Sequence, residues 1–284
     1  MSKRLLILAG GMSSRMKKAV EDLEIDQKLI DQADTVTKGM ISVGAAGKSL
    51  IDYQLTNAVE AGFEEVLLLL HPEDSVTQSY YESEETRTRL GGLSVRFARQ
   101  FISADRIKPA GTADAVLQAL EQTPEWQQGR LVVCNSDNLY STRALQLVWN
   151  SKTANALISY DRDALDFPAE RIQGFALIRT DEEGFLLDIH EKPTEEEVEA
   201  ARAREGRVGV SMNLFAFEAS QIIPCLKETP FHPVRNEKEL PTAVNKLAKN
   251  KRVYAIPLSE NVPDLTSKKD IAVVQKYLAE KYSL

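Results

Sequence analysis

The stretch Leu5-Leu6-Ile7-Leu8-Ala9-Gly10-Gly11-Met12-Ser13-Ser14-Arg15-Met16 decides how the chain is read. Five apolar residues make a run of strand length, and it opens into a loop of glycines and serines that carries an arginine. An α/β protein cradles phosphate in this way, with loop amides at the carboxyl end of its first strand. Glycine lets the backbone come close to phosphate oxygens, and Arg15 adds a planar, permanently charged fork. Gly10-Gly11 also reads as a plain strand-to-helix turn. The loop implies bound phosphate and points to a nucleotide enzyme.

Further apolar runs lie at residues 66–70, 93–98, 131–134, 156–160, 174–178, 185–189, 208–217 and 253–257. Helical patterns lie between many of them, at 49–61, 112–120, 142–150, 195–204, 239–249 and 267–281. Strand–helix alternation in the first half predicts a mostly parallel sheet covered on both faces, with ligands at the carboxyl ends of its strands. In the second half, strands around residues 175–179 and 186–190 flank the turn Thr180-Asp181-Glu182-Glu183-Gly184. That pattern predicts a hairpin and an antiparallel extension. The expected fold is Rossmann-like α/β, a mixed and mostly parallel central sheet with helices on both faces and a smaller antiparallel substrate lobe. One domain spans 1–284, with a nucleotide lobe over about 1–150 and a substrate lobe over about 151–284. Residues 17–37 are charged and helix-compatible, and read as an exposed excursion.

Composition narrows the partners. The chain has 284 residues, 43% hydrophobic and 27% charged, which suits a globular protein with a sizeable core. No run approaches the roughly 18 apolar residues of a membrane span, and no signal-peptide pattern precedes the first strand, so a cytoplasmic location is expected. A net charge of −7 argues against a nucleic-acid surface, which needs an excess of Lys and Arg. Cys134 and Cys225 lack metal-ligand spacing and read as buried free thiols.

Several short segments carry candidate chemistry. Lys38 follows Thr37, and Lys48 precedes a helix start at Ser49; either lysine could meet phosphate or simply be solvated. Gly111-Thr112 opens a helix, either to read a ligand hydroxyl or base or as an ordinary cap. The fourth strand runs into Asn135-Ser136-Asp137-Asn138, delivering Asp137 to the ligand edge as a magnesium-ligand candidate or a turn residue. Glu191, Lys192 and Pro193 end a strand, where neighbouring side chains point apart and should have separate jobs. Asn213 sits in an apolar strand and needs partners, either a substrate hydroxyl or the backbone. Asp264 precedes the last helix and suits a cap or a ligand.

In this order the segments resemble those of the sugar-1-phosphate nucleotidyltransferases, also called nucleoside-diphosphate-sugar pyrophosphorylases. The matching elements are L-A-G-G-M-S-S-R-M (8–16), T-K-G-M-I-S-V (37–43) with G-K-S-L-I-D-Y (47–53), R-Q (99–100), G-T-A-D-A-V (111–116), S-D-N (136–138), E-K-P (191–193) and P-D-L-T-S (263–267). Ser13 stands where many relatives carry glycine, and the stretch between Arg15 and Lys38 is longer than in many. The resemblance implies that Arg15 and Lys38 hold the triphosphate and stabilise charge at the reacting phosphorus. By the same resemblance Ala9, Gly10, Gly11, Gln100, Gly111 and Thr112 bind the nucleotide, and Asp137 and Asp264 hold Mg²⁺. Glu191 meets sugar hydroxyls and Lys192 the sugar phosphate, with Gly174 and Asn213 lining that pocket. The reaction implied is in-line attack of a sugar-phosphate oxygen on the α-phosphorus, with UTP or dTTP as the preferred nucleotide. No protein nucleophile is needed, so His71, His190, His232 and the cysteines are released from catalysis. Alternatives are transfer to another phosphorylated acceptor, such as a phospho-alcohol with CTP, or a catalytically silent nucleotide-sugar sensor. A dinucleotide dehydrogenase is disfavoured because the spaced three-glycine pattern is missing. An appended left-handed β-helix is not expected within these 284 residues. Oligomeric state is not legible, although enzymes of this size in the family often self-associate; neither nucleic acid nor membrane is an expected partner.

Overall fold

The computed structural model describes residues 2–11, 26, 29–32, 37–250 and 252–282. They divide into two compact units. One comprises residues 1–109, 135–142 and 263–284, and the other 110–134 and 143–262.

In the first unit, strands β1 (Arg4–Ala9), β2 (Glu65–Leu70) and β3 (Ser94–Arg99) form a parallel ladder, with Ala9 opposite Leu70 and Leu70 opposite Arg99. Residues Val66 to Leu70 are all fully buried, as an apolar run in a sheet covered on both faces requires. Helix α1 (Leu50–Glu60) starts at Ser49, whose hydroxyl accepts from the Asp52 N–H while the Asp52 carboxylate accepts from the Ser49 N–H, a reciprocal capping box. Helices α2 (Ser75–Glu82) and α3 (Glu84–Arg89) follow β2. They are polar and nearly devoid of apolar periodicity, which is why the sequence pattern does not predict them; Asp74 and Ser83 cap them. An apolar cluster joins Ile41, Val43, Leu50, Tyr53, Leu139 and Leu265 to three residues of the last helix. Leu29 belongs to it and is only 8% exposed, while Asp26 and Asp31 in the same 17–37 stretch are exposed. Most of that stretch lies outside the described residues.

In the second unit, helix α4 (Thr112–Gln122) precedes β4 (Arg130–Asn135). Strand β8 (Gly209–Glu218) runs antiparallel to β4 and also to β5 (Asn155–Asp161), while β9 (Val253–Leu258) lies parallel to β5. The expected hairpin is β6 (Leu177–Thr180) and β7 (Leu186–His190). Its turn is locked by the Asp181 carboxylate, which accepts from the N–H groups of Glu183 and Phe185. Gly174 was expected to open β6 but lies before it, in the turn after the short helix α6 (Ala169–Ile172). Helices α5 (Thr142–Trp149), α7 (Glu195–Glu205), α8 (Ala219–Lys227) and α9 (Leu240–Asn250) complete this unit, and α10 (Asp270–Lys281) belongs to the first. The fold is the expected Rossmann-like mixed α/β arrangement. No helix among the described residues is long and apolar enough to cross a membrane.

Candidate functional site

Lys38 opens a single 3-10 turn, Lys38–Met40, and its ammonium donates to Asp137 Oδ2 at 3.1 Å. The neighbouring glycine makes this approach feasible. A Cβ on Gly39 would lie 2.6 Å from Ile51 Cγ1 and 3.0 Å from the Ser136 carbonyl, so no larger residue fits between the lysine turn and the end of β4. Lys48 goes elsewhere, its ammonium 6.0 Å from the centre of the Tyr53 ring. Of the two lysines, Lys38 is the one beside the carboxylate.

Asp137 and Asp264 are brought onto facing backbone segments. Asn138 and Asp264 form an antiparallel bridge, Leu265 donates its N–H to the Asp137 carbonyl at 2.8 Å, and Leu139 donates to the Pro263 carbonyl at 2.9 Å. Thr266 Oγ1 donates to Asp264 Oδ1. Asp264 does not cap the last helix, whose N-cap is Lys269 with no side-chain cap; the Asp270 carboxylate instead holds the preceding turn by accepting from the N–H groups of Thr266 and Ser267. Two carboxylates on one zipped pair of segments offer hard oxygen donors of the type Mg²⁺ takes, with phosphate supplying further ligands. Both are hard oxygen donors of the kind a divalent cation takes.

At the end of β1, Gly10 packs on Gln100. A Cβ there would stand 2.5 Å from Gln100 Oε1. Gln100 is 3% exposed, and its buried Nε2 has no hydrogen-bond partner among the described residues. A buried amide donor left open in this way is costly unless a ligand completes it. Gly11 is exposed, and a Cβ on it would meet no described residue within 4 Å. Arg15, with Met12 to Ser14, lies outside the described residues.

The second unit holds the remaining candidates. Gly111 has φ of 113°, and a Cβ on it would fall 2.4 Å from the Lys238 carbonyl oxygen. Thr112 does not cap its own helix; its hydroxyl accepts from the Leu240 N–H at 2.9 Å and so caps α9. Glu191 and Lys192 lie in a bend after β7 rather than in the strand, and Lys192 takes a left-handed φ of 52°. Such a backbone in a non-glycine residue costs about 1–3 kcal/mol and is found where a side chain must be aimed. Asn213 is similar, at φ 57°. It was read as a residue of a regular strand. Instead β8 bulges there, because Leu157 pairs with Phe215 but Ser159 with Ser211, and Asn213 is only half-buried.

Sequence reasoning missed what surrounds Glu191. Arg235 pairs with both Glu191 and Glu239, and the His232 ring lies beside the two carboxylates. His232 Nδ1 accepts from the N–H groups of Val234 and Arg235, which leaves Nε2 as the donor of the neutral ring. Burial raises the Glu239 carboxyl pKa, helped by the negative charge of Glu191. The residues 232–239 show no periodicity that would have marked them. Both cysteines are buried free thiols, and burial pushes the Cys225 pKa up.

A family model described as nucleotidyl transferase matches residues 27–276. The chain belongs to this nucleotidyl transferase family. It is 26% identical over 220 residues to the glucose-1-phosphate adenylyltransferase of Aliivibrio fischeri (strain MJ11), covering 76% of this chain and 49% of that one. It is 24% identical over 246 residues to the bifunctional protein GlmU of Staphylococcus haemolyticus, covering 86% of this chain and 45% of that one. The chain thus spans about half the length of these curated relatives. Among solved structures, a UDP-glucose pyrophosphorylase complexed with UDP-glucose matches with a TM-score of 0.73 at 18% identity, covering 99% of this chain and all of that one. A UDP-glucose pyrophosphorylase from Acinetobacter baumanii matches with a TM-score of 0.71 at 20% identity, covering 100% and 96%.

Proposed function

We propose that the chain transfers a nucleotidyl group from a nucleoside triphosphate to a sugar 1-phosphate, forming a nucleoside-diphosphate sugar and pyrophosphate. The observation that carries this reading is the meeting of Lys38 with Asp137 on the segment zipped to Asp264. A phosphate-binding cation and two hard-metal ligands in one place suit a reaction between two anions, where neutralising charge and aligning the partners is most of the catalysis.

In this reading a sugar-phosphate oxygen forms a bond to the α-phosphorus while the bond to the bridging oxygen of pyrophosphate breaks. Ala9, Gly10 and Gly11 offer backbone to the phosphates, Arg15 and Lys38 neutralise the developing charge, and Gln100 reads the base. Asp137 and Asp264 hold Mg²⁺, which supplies further charge neutralisation on the phosphates when bound. Gly111 and Thr112 complete the nucleotide contacts. Lys192 takes the sugar phosphate, Glu191 the sugar hydroxyls, and Gly174 and Asn213 line that pocket.

UTP or dTTP is the nucleotide we favour, because the imide edge of a pyrimidine presents a donor and an acceptor to the Gln100 amide. Adenine has a complementary edge as well, and the names of the relatives divide between adenylyl and uridine chemistry, so the base is decided by assay. Purified protein with Mg²⁺ is given each of five common nucleoside triphosphates and a panel of sugar 1-phosphates, and pyrophosphate is measured. Release with a sugar 1-phosphate is expected, and Asp137→Ala should abolish it without unfolding the protein. Release only with a phospho-alcohol acceptor, or nucleotide binding with no release from any pair, would overturn the proposal.

A further inference from the structure

Helix α1 turns two buried amides toward the segment that carries Asp137. Gln54, 3% exposed, donates through Nε2 to the Asn135 carbonyl at 2.9 Å and also to the Asn138 carbonyl. One turn further on, Asn57, 2% exposed, donates to the Tyr140 carbonyl at 2.8 Å. Positions three apart share a helix face, so one face grips this segment at three carbonyls. The Asp137 carbonyl is taken by Leu265 and the Ser136 N–H by Leu8, which leaves the Asp137 side chain as the member that faces Lys38.

We propose that Gln54 is a positioning residue for the metal-binding carboxylate, setting Asp137 by clamping its turn on both sides. The inference rests on the reading of Asp137 as a metal ligand. Gln54 is poorly explained as a stabilising core residue. Its Oε1 is buried with no hydrogen-bond partner among the described residues, as is Asn138 Nδ2, and both carry a cost in stability. An apolar residue would fill a core position of α1 without that cost. What only the amide can do is donate twice from one nitrogen, to carbonyls on either side of Asp137. Backbone held in this way fixes where a carboxylate oxygen can sit, and supports of this kind around metal ligands typically change metal affinity by about 10–100-fold when removed.

The test is titration of the full-length protein with Mn²⁺ alone, with free Mn²⁺ read by electron paramagnetic resonance, alongside the Mg²⁺ dependence of pyrophosphate release. Gln54→Met keeps the volume and removes both donors. It should weaken Mn²⁺ binding about tenfold and raise the Mg²⁺ concentration for half-maximal rate in step, with turnover at saturating Mg²⁺ changed much less. Gln54→His keeps an uncharged N–H donor of similar reach and should retain more of the parent's Mn²⁺ affinity than Gln54→Met. Gln54→Leu takes the place of the methionine variant if that one does not fold. Equal weakening in the histidine and methionine variants, or an unchanged Mn²⁺ affinity in Gln54→Met, overturns the proposal. Asp137→Asn separates the two readings, because Mn²⁺ binding that survives it removes Asp137 from the metal site whatever Gln54 does.

Discussion

The Lys38 ammonium stands 3.1 Å from Asp137 Oδ2, so the cation suited to phosphate and the carboxylate suited to metal neutralise each other while neither substrate is bound. A cation held by Asp137 would compete with the Lys38 ammonium for the carboxylate and would leave that ammonium available to phosphate. A unit charge pair at this distance is worth about 1 kcal/mol even in a water-like dielectric. Lys38→Met should therefore bind Mn²⁺ alone more tightly, by up to roughly fivefold, while pyrophosphate release falls about 10²–10³-fold. Lys48→Met should change release less than about threefold. Weaker Mn²⁺ binding by Lys38→Met would remove the competition argued here.

Gly10 and Gln100 allow a second prediction at the base. A methyl group on Gly10 falls 2.5 Å from Gln100 Oε1, and the amide must rotate or the strand end must shift. Gly10→Ala should raise the KM for nucleoside triphosphate about tenfold, the scale of one disturbed hydrogen bond, with the KM for sugar 1-phosphate little changed. Steady-state kinetics with each substrate varied in turn would decide it. An equal rise in both KM values would show that Gly10 does not act through the base.

The strands were legible because burial demands apolar runs. Val66 to Leu70 could only be a covered strand, and the turn between Thr180 and Gly184 marked the hairpin. Asp137 could be placed just past the carboxyl end of its strand because that strand is unmistakable. The helices at Ser75–Glu82 and Glu84–Arg89 were hidden, since local caps and not an apolar stripe hold them. The bulge at Asn213 was hidden too, because two-residue alternation carries no mark of a register shift. Gln54 and Asn57 could be read as polar positions on an apolar helix, but only three-dimensional placement reveals which carbonyls they hold.

Gly111 tests the backbone itself. Its φ of 113° is closed to most side chains, and its Cα lies hard against Lys238, whose backbone also exchanges hydrogen bonds with Ala110 and Ala113. Gly111→Ala should cost about 2–3 kcal/mol through strain and displacement of that backbone. Gly206→Ala also sits at positive φ, 70°, but meets nothing within 4 Å, and should cost only about 1 kcal/mol. Denaturant unfolding of both variants gives the comparison. Equal losses would mean that the close approach to Lys238 contributes nothing.

Tyr282 supplies the pH dependence. Its hydroxyl exchanges hydrogen bonds with the Asn57 amide at 2.7 and 3.1 Å, and its ring packs edge-on against Tyr53 with centroids 4.8 Å apart. Burial is the main cause that pushes its phenol pKa from the ordinary 10.0 up to about 12, with the hydrogen bond to Asn57 acting the other way. The neutral phenol is thus favoured in the folded state. Stability from this group is fully present below pH 10 and is lost as pH rises through about 12, because the unfolded chain ionises first. The loss is of order 2 kcal/mol. Tyr282→Phe removes the hydroxyl and should cost about 1 kcal/mol at pH 7, yet it has no phenol to ionise at this position. The difference in unfolding free energy between parent and variant should therefore shrink above pH 10, reverse at roughly pH 11 and level off above about pH 12. A difference that stays constant across this range, measured by urea unfolding at fixed pH values, would show that Tyr282 titrates alike in the folded and unfolded chain.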